Sequence, residues 1–307
     1  MNRLPAGAML TLLLLLMMHS PAHADFRKFR AVPSDPELAG RLALVAQATL
    51  KEYPRLTSDQ LAISFIDLSK PDSPARADYH GDASFYPASL VKLFFMVATF
   101  QRDHFTPEIE RALREMIHLS DNDAASYLVD VLTDTTSGPE LEGSALEDFL
   151  NRRRSLNRYF AAAGYDVSVF IKPWSFGPFG RDMQIMGENK TNRNRASANA
   201  IASLLYSIVQ RKSVSGSASD SMMALLERPL DPPRPDENQV RDFLGESLPP
   251  GSRLWSKEGD TSEVRHDAIY VELPSGRKFI IVVLTRGVVD DKTVLPVIGS
   301  RLLKELN

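Results

Sequence analysis

The sequence predicts an α/β (α+β) chain in which a strand-bearing lobe is built from both ends and an all-helical lobe is inserted between them. Three observations carry this. Apolar, β-branched runs lie near the beginning, at Leu61–Leu68, and near the end, at Arg253–Ser256, Ala268–Leu273 and Lys278–Thr285. Between them the apolar residues recur at helical spacing. The chain has 307 residues, 43% hydrophobic and 24% charged, the balance of an ordinary globular protein long enough for two lobes. Residues 25–84 and 213–307 are expected to form the α/β lobe and residues 85–212 the helical lobe. A cleft between such lobes is a natural substrate site.

The elements follow in order. Glu37–Tyr53 has helical spacing at Leu38, Leu42, Val45, Ala46 and Leu50. After the Leu61–Leu68 strand, a turn at Asp72-Ser73-Pro74 leads to a short polar strand near Ala77–Gly81. Ala88–Phe100 is apolar on all sides, which predicts a buried helix. Helices are expected at Pro107–His118, from a Ser120 cap to about Leu132, and over Ala145–Gly164, where Arg152, Arg153 and Arg154 form a solvated face. Tyr165–Ile171 is strand or loop. Lys172–Arg195 is too long to be a mere connector, and its aromatics Trp174, Phe176 and Phe179 either line a cleft or form a satellite core. Helices are expected again at Ser197–Gln210, Ser219–Glu227 and Asp236–Leu244, the last two separated by a Pro-rich turn at Asp231–Pro235. Pro274-Ser275-Gly276 joins two strands as a hairpin, and Val294–Leu306 closes the chain as a helix.

Composition excludes several classes. The chain has no cysteine, so disulfides, thiolate nucleophiles and Cys-based zinc sites are ruled out. A net charge of −3 argues against a nucleic-acid partner. His80, His104 and His118 have no metal-ligand spacing, and no dinucleotide or phosphate-loop fingerprint occurs, so no metal and no cofactor are expected. Residues 1–24 read as a cleavable secretory signal: Arg3, a short apolar core with a Leu12–Leu16 run, then Ala22-His23-Ala24. The expectation is a periplasmic or secreted monomer that does not stay in the membrane.

Three short motifs carry chemistry. In Ser89-Leu90-Val91-Lys92 a hydroxyl and an amine three apart on a helix share one face. Burial beside another cation lowers a lysine pKa and makes it a base. Alone the pattern is weak, since a chain this long carries on the order of one by chance. Ser275-Gly276-Arg277-Lys278 also matches, in a hairpin where it has no evident meaning. Ser120-Asp121-Asn122 opens a helix, and Lys257-Glu258-Gly259 ends a strand. The rival reading, a Ser-His-Asp enzyme using His266 and Asp267, lacks a Gly-x-Ser-x-Gly elbow.

In this order and on these elements, the three motifs resemble those of the class A serine β-lactamases and their penicillin-binding, DD-peptidase-like relatives. The resemblance extends through Pro87-Ala88-Ser89, Ser120–Ala125, Ser197–Gln210, Leu248-Pro249-Pro250-Gly251 and Val264-Arg265-His266-Asp267. It implies an antiparallel sheet flanked by helices. It also implies Ser89 as the acylated nucleophile, Lys92 as its base or proton relay, Ser120 as the shuttle of a proton to the leaving nitrogen, Asn122 as a support for Lys92 and the substrate amide, and Lys257 as a source of positive potential that supports Ser120. The backbone N–H groups of Ser89 and Asp260 would form the oxyanion hole. The substrate would be a β-lactam or a peptidoglycan peptide. A non-catalytic binding protein of the same fold is the reading from another class.

The chain also departs from the family. The segment from Ser89 to Ser120 is short. The family's water-activating glutamate has one candidate in the long loop, Glu188, with Asp182 behind it. The Lys-x-Gly centre is Glu258 where the family has Ser or Thr, which places Glu258 and Asp260 where an anionic group would bind. Arg265 is the expected compensation, and Thr261 or Ser262 the expected source of the missing hydroxyl.

Overall fold

The computed structural model describes residues 26–231 and 239–306. The signal assigned to residues 1–24 lies outside them, as do most of the Asp231–Pro235 turn and the first residues of the Asp236–Leu244 helix. Among its described residues, 239–243 form bends and turns rather than a helix, and a short 3₁₀ turn follows at Leu244–Ser247.

The elements are α1 (Phe26–Arg30), α2 (Pro36–Glu52), β1 (Leu61–Asp67), β2 (Ala75–Tyr79), α3 (Val91–Thr99), α4 (Pro107–His118), α5 (Asn122–Thr133), α6 (Gly143–Arg153), α7 (Ser155–Ala162), α8 (Gly180–Met186), α9 (Ala198–Val209), α10 (Gly216–Leu226), β3 (Glu227–Arg228), β4 (Arg253–Asp260), β5 (Val264–Glu272), β6 (Lys278–Arg286) and α11 (Val294–Leu306). The strands form one antiparallel sheet in the order β2-β1-β6-β5-β4-β3. β5 and β6 are joined by the expected hairpin, with Gly276 at φ 84°.

β1, β5 and β6 are buried on both faces, which is why they read as continuous apolar runs rather than alternating ones. On one face α2 and α11 cover Ile63, Phe65, Ile281 and Val283. On the other, α9 lies on Ala62, Ile280 and Val282, and behind it α3, α4 and α5 complete the larger core. α3 sits at the centre of that core with all nine residues buried. The site residues enter at the end of α3 that faces β4.

Four local expectations are corrected. Asp121, not Ser120, caps α5: its carboxylate accepts the Ala124 N–H at 2.6 Å, and Ser120 adopts a left-handed backbone one residue earlier. The Ala145–Gly164 helix is two helices, breaking at Arg154. Arg153 is not solvated. It is completely buried and pairs with Asp130 at 2.7 Å and Asp182 at 3.0 Å, while its neighbours Arg152 and Arg154 remain exposed. The Arg253–Ser256 and Ala268–Leu273 strands are longer than their apolar runs, because Lys257, Arg265, His266 and Asp267 also sit in the ladder and are buried.

Candidate active site

The site begins with a strained turn. Ala88 has φ 47°, a conformation costly for a residue with a Cβ, and it starts the 3₁₀ turn Ala88–Leu90 that leads into α3. Ser89 and Lys92, three apart, therefore share a side, and Lys92 Nζ lies 3.1 Å from Ser89 Oγ. Because α3 is buried throughout, the Lys92 side chain must find its other partners inside the protein. The turn before α5 supplies them. Ser120 has φ 56°, and this left-handed residue presents both its carbonyl (2.5 Å) and its hydroxyl (3.3 Å) to Lys92 Nζ. Asn122 Oδ1, on the first residue of α5, accepts from the same nitrogen at 2.8 Å.

β4 closes the group from the opposite side. Lys257, completely buried, donates to Ser120 Oγ at 2.9 Å and to the Glu258 carboxylate at 2.7 Å. Gly259 is there because a Cβ would stand 2.9 Å from the Pro87 carbonyl and against the Leu90 and Ala88 side chains. The strand can lie against the Ser89 turn only if that position carries no side chain. Ser89, Lys92, Ser120, Asn122 and Lys257 thus form one hydrogen-bonded group drawn from three segments of the chain.

Its electrostatics suit a base. Burial first, and then the nearby Lys257 charge, push the Lys92 pKa down to about 7, with Glu258 and Asp121 opposing both. Burial also lowers the Lys257 pKa, against the pull of Glu258. When Lys92 is neutral, its two N–H groups match the two acceptors that have no proton of their own, the Ser120 carbonyl and Asn122 Oδ1. Its lone pair is then left facing the Ser89 hydroxyl.

A cleft of about 340 Å³ opens over Ser89 and Asn122, with Asp260 and Thr261 on the β4 side and Trp174, Met183 and Lys190 on the long-loop side. The loop is fastened to α5 by four hydrogen bonds: Asn122 Nδ2 to the Trp174 carbonyl, Ser126 Oγ to the Pro173 carbonyl, Ser175 Oγ to Asp123, and Lys172 Nζ to Asp130. Of its aromatics only Trp174 lines the cleft; Phe176 and Phe179 are exposed. The satellite core is made by Phe149, Phe170, Ile171, Ile185 and Met186 instead.

Several expected site residues stand elsewhere. Glu188 is exposed on a 3₁₀ turn and is not among the residues lining the cleft. Asp182 is buried against Arg153, away from the cleft lining. Glu258 turns toward Lys257 rather than into the cleft. Arg265 is held by Asp260 at 2.6 Å and the Asp242 carbonyl and stacks on Phe243, so it does not line the cleft either. His266 accepts from the Thr285 N–H at Nδ1 and donates to the Tyr86 carbonyl at Nε2, and burial pushes its pKa down to about 4. With both ring nitrogens engaged, it cannot serve a Ser-His-Asp triad.

Two features escaped the sequence reading. Lys172 lines the cleft and pairs with Asp130 at 2.6 Å, and nothing in its local sequence marks it. The left-handed Ala88 and Ser120 carry no sequence signal either, since neither is Gly, Asn or Asp.

A Ser-Lys-Ser group with a buried lysine and half-buried serines, set against β4 of an antiparallel sheet flanked by helices, defines a serine-hydrolase type of site. The sequence comparison agrees: a model of the Beta-lactamase enzyme family matches residues 102–306, and the chain belongs to that family. No curated protein sequence matches it. Among solved structures it is similar to PBP-A (19% identity, 89% of this chain and 98% of that one, TM-score 0.64). A variant of PBP-A solved as an acyl-enzyme complex with penicillin G is similar to the same degree (19%, 87% and 96%, TM-score 0.63). So is a representative of class A β-lactamase from Bacteroides cellulosilyticus DSM 14838 (14%, 88% and 98%, TM-score 0.61). No helix among the described residues is long and apolar enough to cross a membrane.

Proposed function

We propose that this protein is an exported serine acyl-transfer enzyme that opens an amide bond, a β-lactam amide among them, through an ester on Ser89. One observation carries the reading: a single buried amine, Lys92 Nζ, touches both the Ser89 hydroxyl and Ser120, and has a pKa of about 7. In the reaction Ser89 Oγ bonds to the carbonyl carbon and its proton passes to neutral Lys92. The C–N bond then breaks, and Ser120, hydrogen-bonded to both lysines, hands a proton to the leaving nitrogen. The Ser89 and Asp260 N–H groups are the oxyanion donors in this reading, and both residues line the cleft.

A second reading concerns release of the acyl group. Among the described residues, the one carboxylate lining the cleft is Asp260, which is paired with Arg265. With no free carboxylate to activate water, the ester on Ser89 outlives its formation. This favours a DD-peptidase-like acceptor of cell-wall peptides over an efficient β-lactamase. Intact-mass measurement after exposure to penicillin G tests both. The expected result is a persistent adduct on the wild type and none on Ser89→Ala. Rapid turnover without an adduct would remove the second reading, and an adduct or turnover in Ser89→Ala would remove the first.

A further inference from the structure

Resting on the acyl-enzyme reading, the geometry around β4 points to a substrate class. We infer that Glu258 is a specificity-determining residue: the enzyme selects acyl donors whose leaving portion is uncharged beside Lys257, and rejects those ending in a free carboxylate there.

The argument is one of available cations. Lys257 Nζ is completely buried and engaged on three sides, by Ser120 Oγ, the Glu258 carbonyl and the Glu258 carboxylate. The chain's own carboxylate therefore occupies the ammonium that stands next to the proton shuttle. An arriving carboxylate would have to displace a buried ion-pair partner or share one cation with it, and two like charges at that range repel. Among the described residues, each cation that lines the cleft, and Arg265 behind it, already faces an acid. Arg265 is bound to Asp260, Lys172 to Asp130, and both Arg193 and Lys190 to Glu263. A cationic leaving group gains nothing either, because the nearby carboxylates are already taken, Glu258 by Lys257 and Asp260 by Arg265. A neutral group is what remains: a carboxamide, an ester or a continuing peptide.

The test uses two thioesters that differ only at one end, N-benzoylglycyl thioglycolate and its carboxamide. Each acylates by forming the Ser89 Oγ–C bond and breaking C–S, with the serine proton passing through Lys92 to the thiolate. Acylation kcat/KM is measured for both compounds on the wild type, Glu258→Gln and Glu258→Thr. The ratio within one preparation is independent of how much of it is folded. The wild type is expected to favour the carboxamide by about tenfold, and both variants to lose or invert that preference. A wild type that favours the free acid, or a ratio unmoved in both variants, overturns the inference while leaving the acyl-enzyme reading intact. If neither compound acylates Ser89, the acyl-enzyme reading falls and this inference with it. Should neither variant fold, the wild-type ratio alone decides.

Discussion

Two of the clusters in which the molecule buries charge, both touching α5, treat it differently. Beneath the cleft floor, Arg153 and Lys172 face Asp130 and Asp182, two cations against two acids, with contacts of 2.6 to 3.0 Å. At the Ser89 end, Glu258 pairs with Lys257, and Lys92, fully buried beside that second cation, has no carboxylate of its own; burial and then the Lys257 charge bring its pKa down. The balanced cluster holds shape, tying α6, α5, α8 and the long loop together. The unbalanced one holds a proton loosely, which a base requires. Burial acts on both clusters, and the supply of opposing charge is where they differ.

This contrast can be broken from either side. The largest effect is expected from Lys92→Met. Acylation by penicillin G should slow by about a thousandfold, the range of a lost general base, while the urea midpoint should fall less than in the next variant. An acylation rate within tenfold of wild type would show that Lys92 is not the base. Asp182→Ala leaves Arg153 with Asp130 alone, which Lys172 also uses, and should cost about 3 kcal/mol of stability. Its folded fraction should still acylate at the wild-type rate. Urea melts and single-turnover mass spectrometry read the two effects separately, and a slow but stable variant would erase the division between the clusters.

Smaller effects sharpen the comparison. Because the Lys92 pKa is depressed, the reactive amine is scarce below pH 7 and abundant above it. Acylation should therefore rise nearly tenfold per pH unit below about 7 and level off above it. A profile that stays flat from pH 5.5 to 8.5 would mean that no group with a pKa near 7 limits the step. Glu188→Gln should leave acyl-enzyme lifetime unchanged within about twofold, since an exposed carboxylate outside the cleft activates no water there. A markedly longer lifetime would restore Glu188 as the water-activating residue.

How much of this could be read beforehand depended on range along the chain. The Ser89–Lys92 pair is a local consequence of helical spacing, and the β5–β6 hairpin of turn chemistry, so both were legible. Arg153 was misread because the three consecutive arginines are visible at once, whereas Asp130 and Asp182 arrive from other helices. Ser120 was recognised as important but misplaced as a cap, because nothing in a serine announces a left-handed backbone. Glu258 was correctly singled out as discordant. Its actual partner, the adjacent Lys257, was overlooked because successive strand residues normally face opposite ways.

The sheet order has a consequence for how the protein is made. β1 emerges early from the ribosome, yet in the finished sheet its neighbour is β6, the last strand to be synthesised. Until residues 278–286 arrive, the amino-terminal hairpin has an open edge and β5 has no second partner. The sheet that carries Lys257 against the Ser89 turn is then complete only when translation is nearly finished. If the proposed acylation is right, the nascent chain is unreactive until that point.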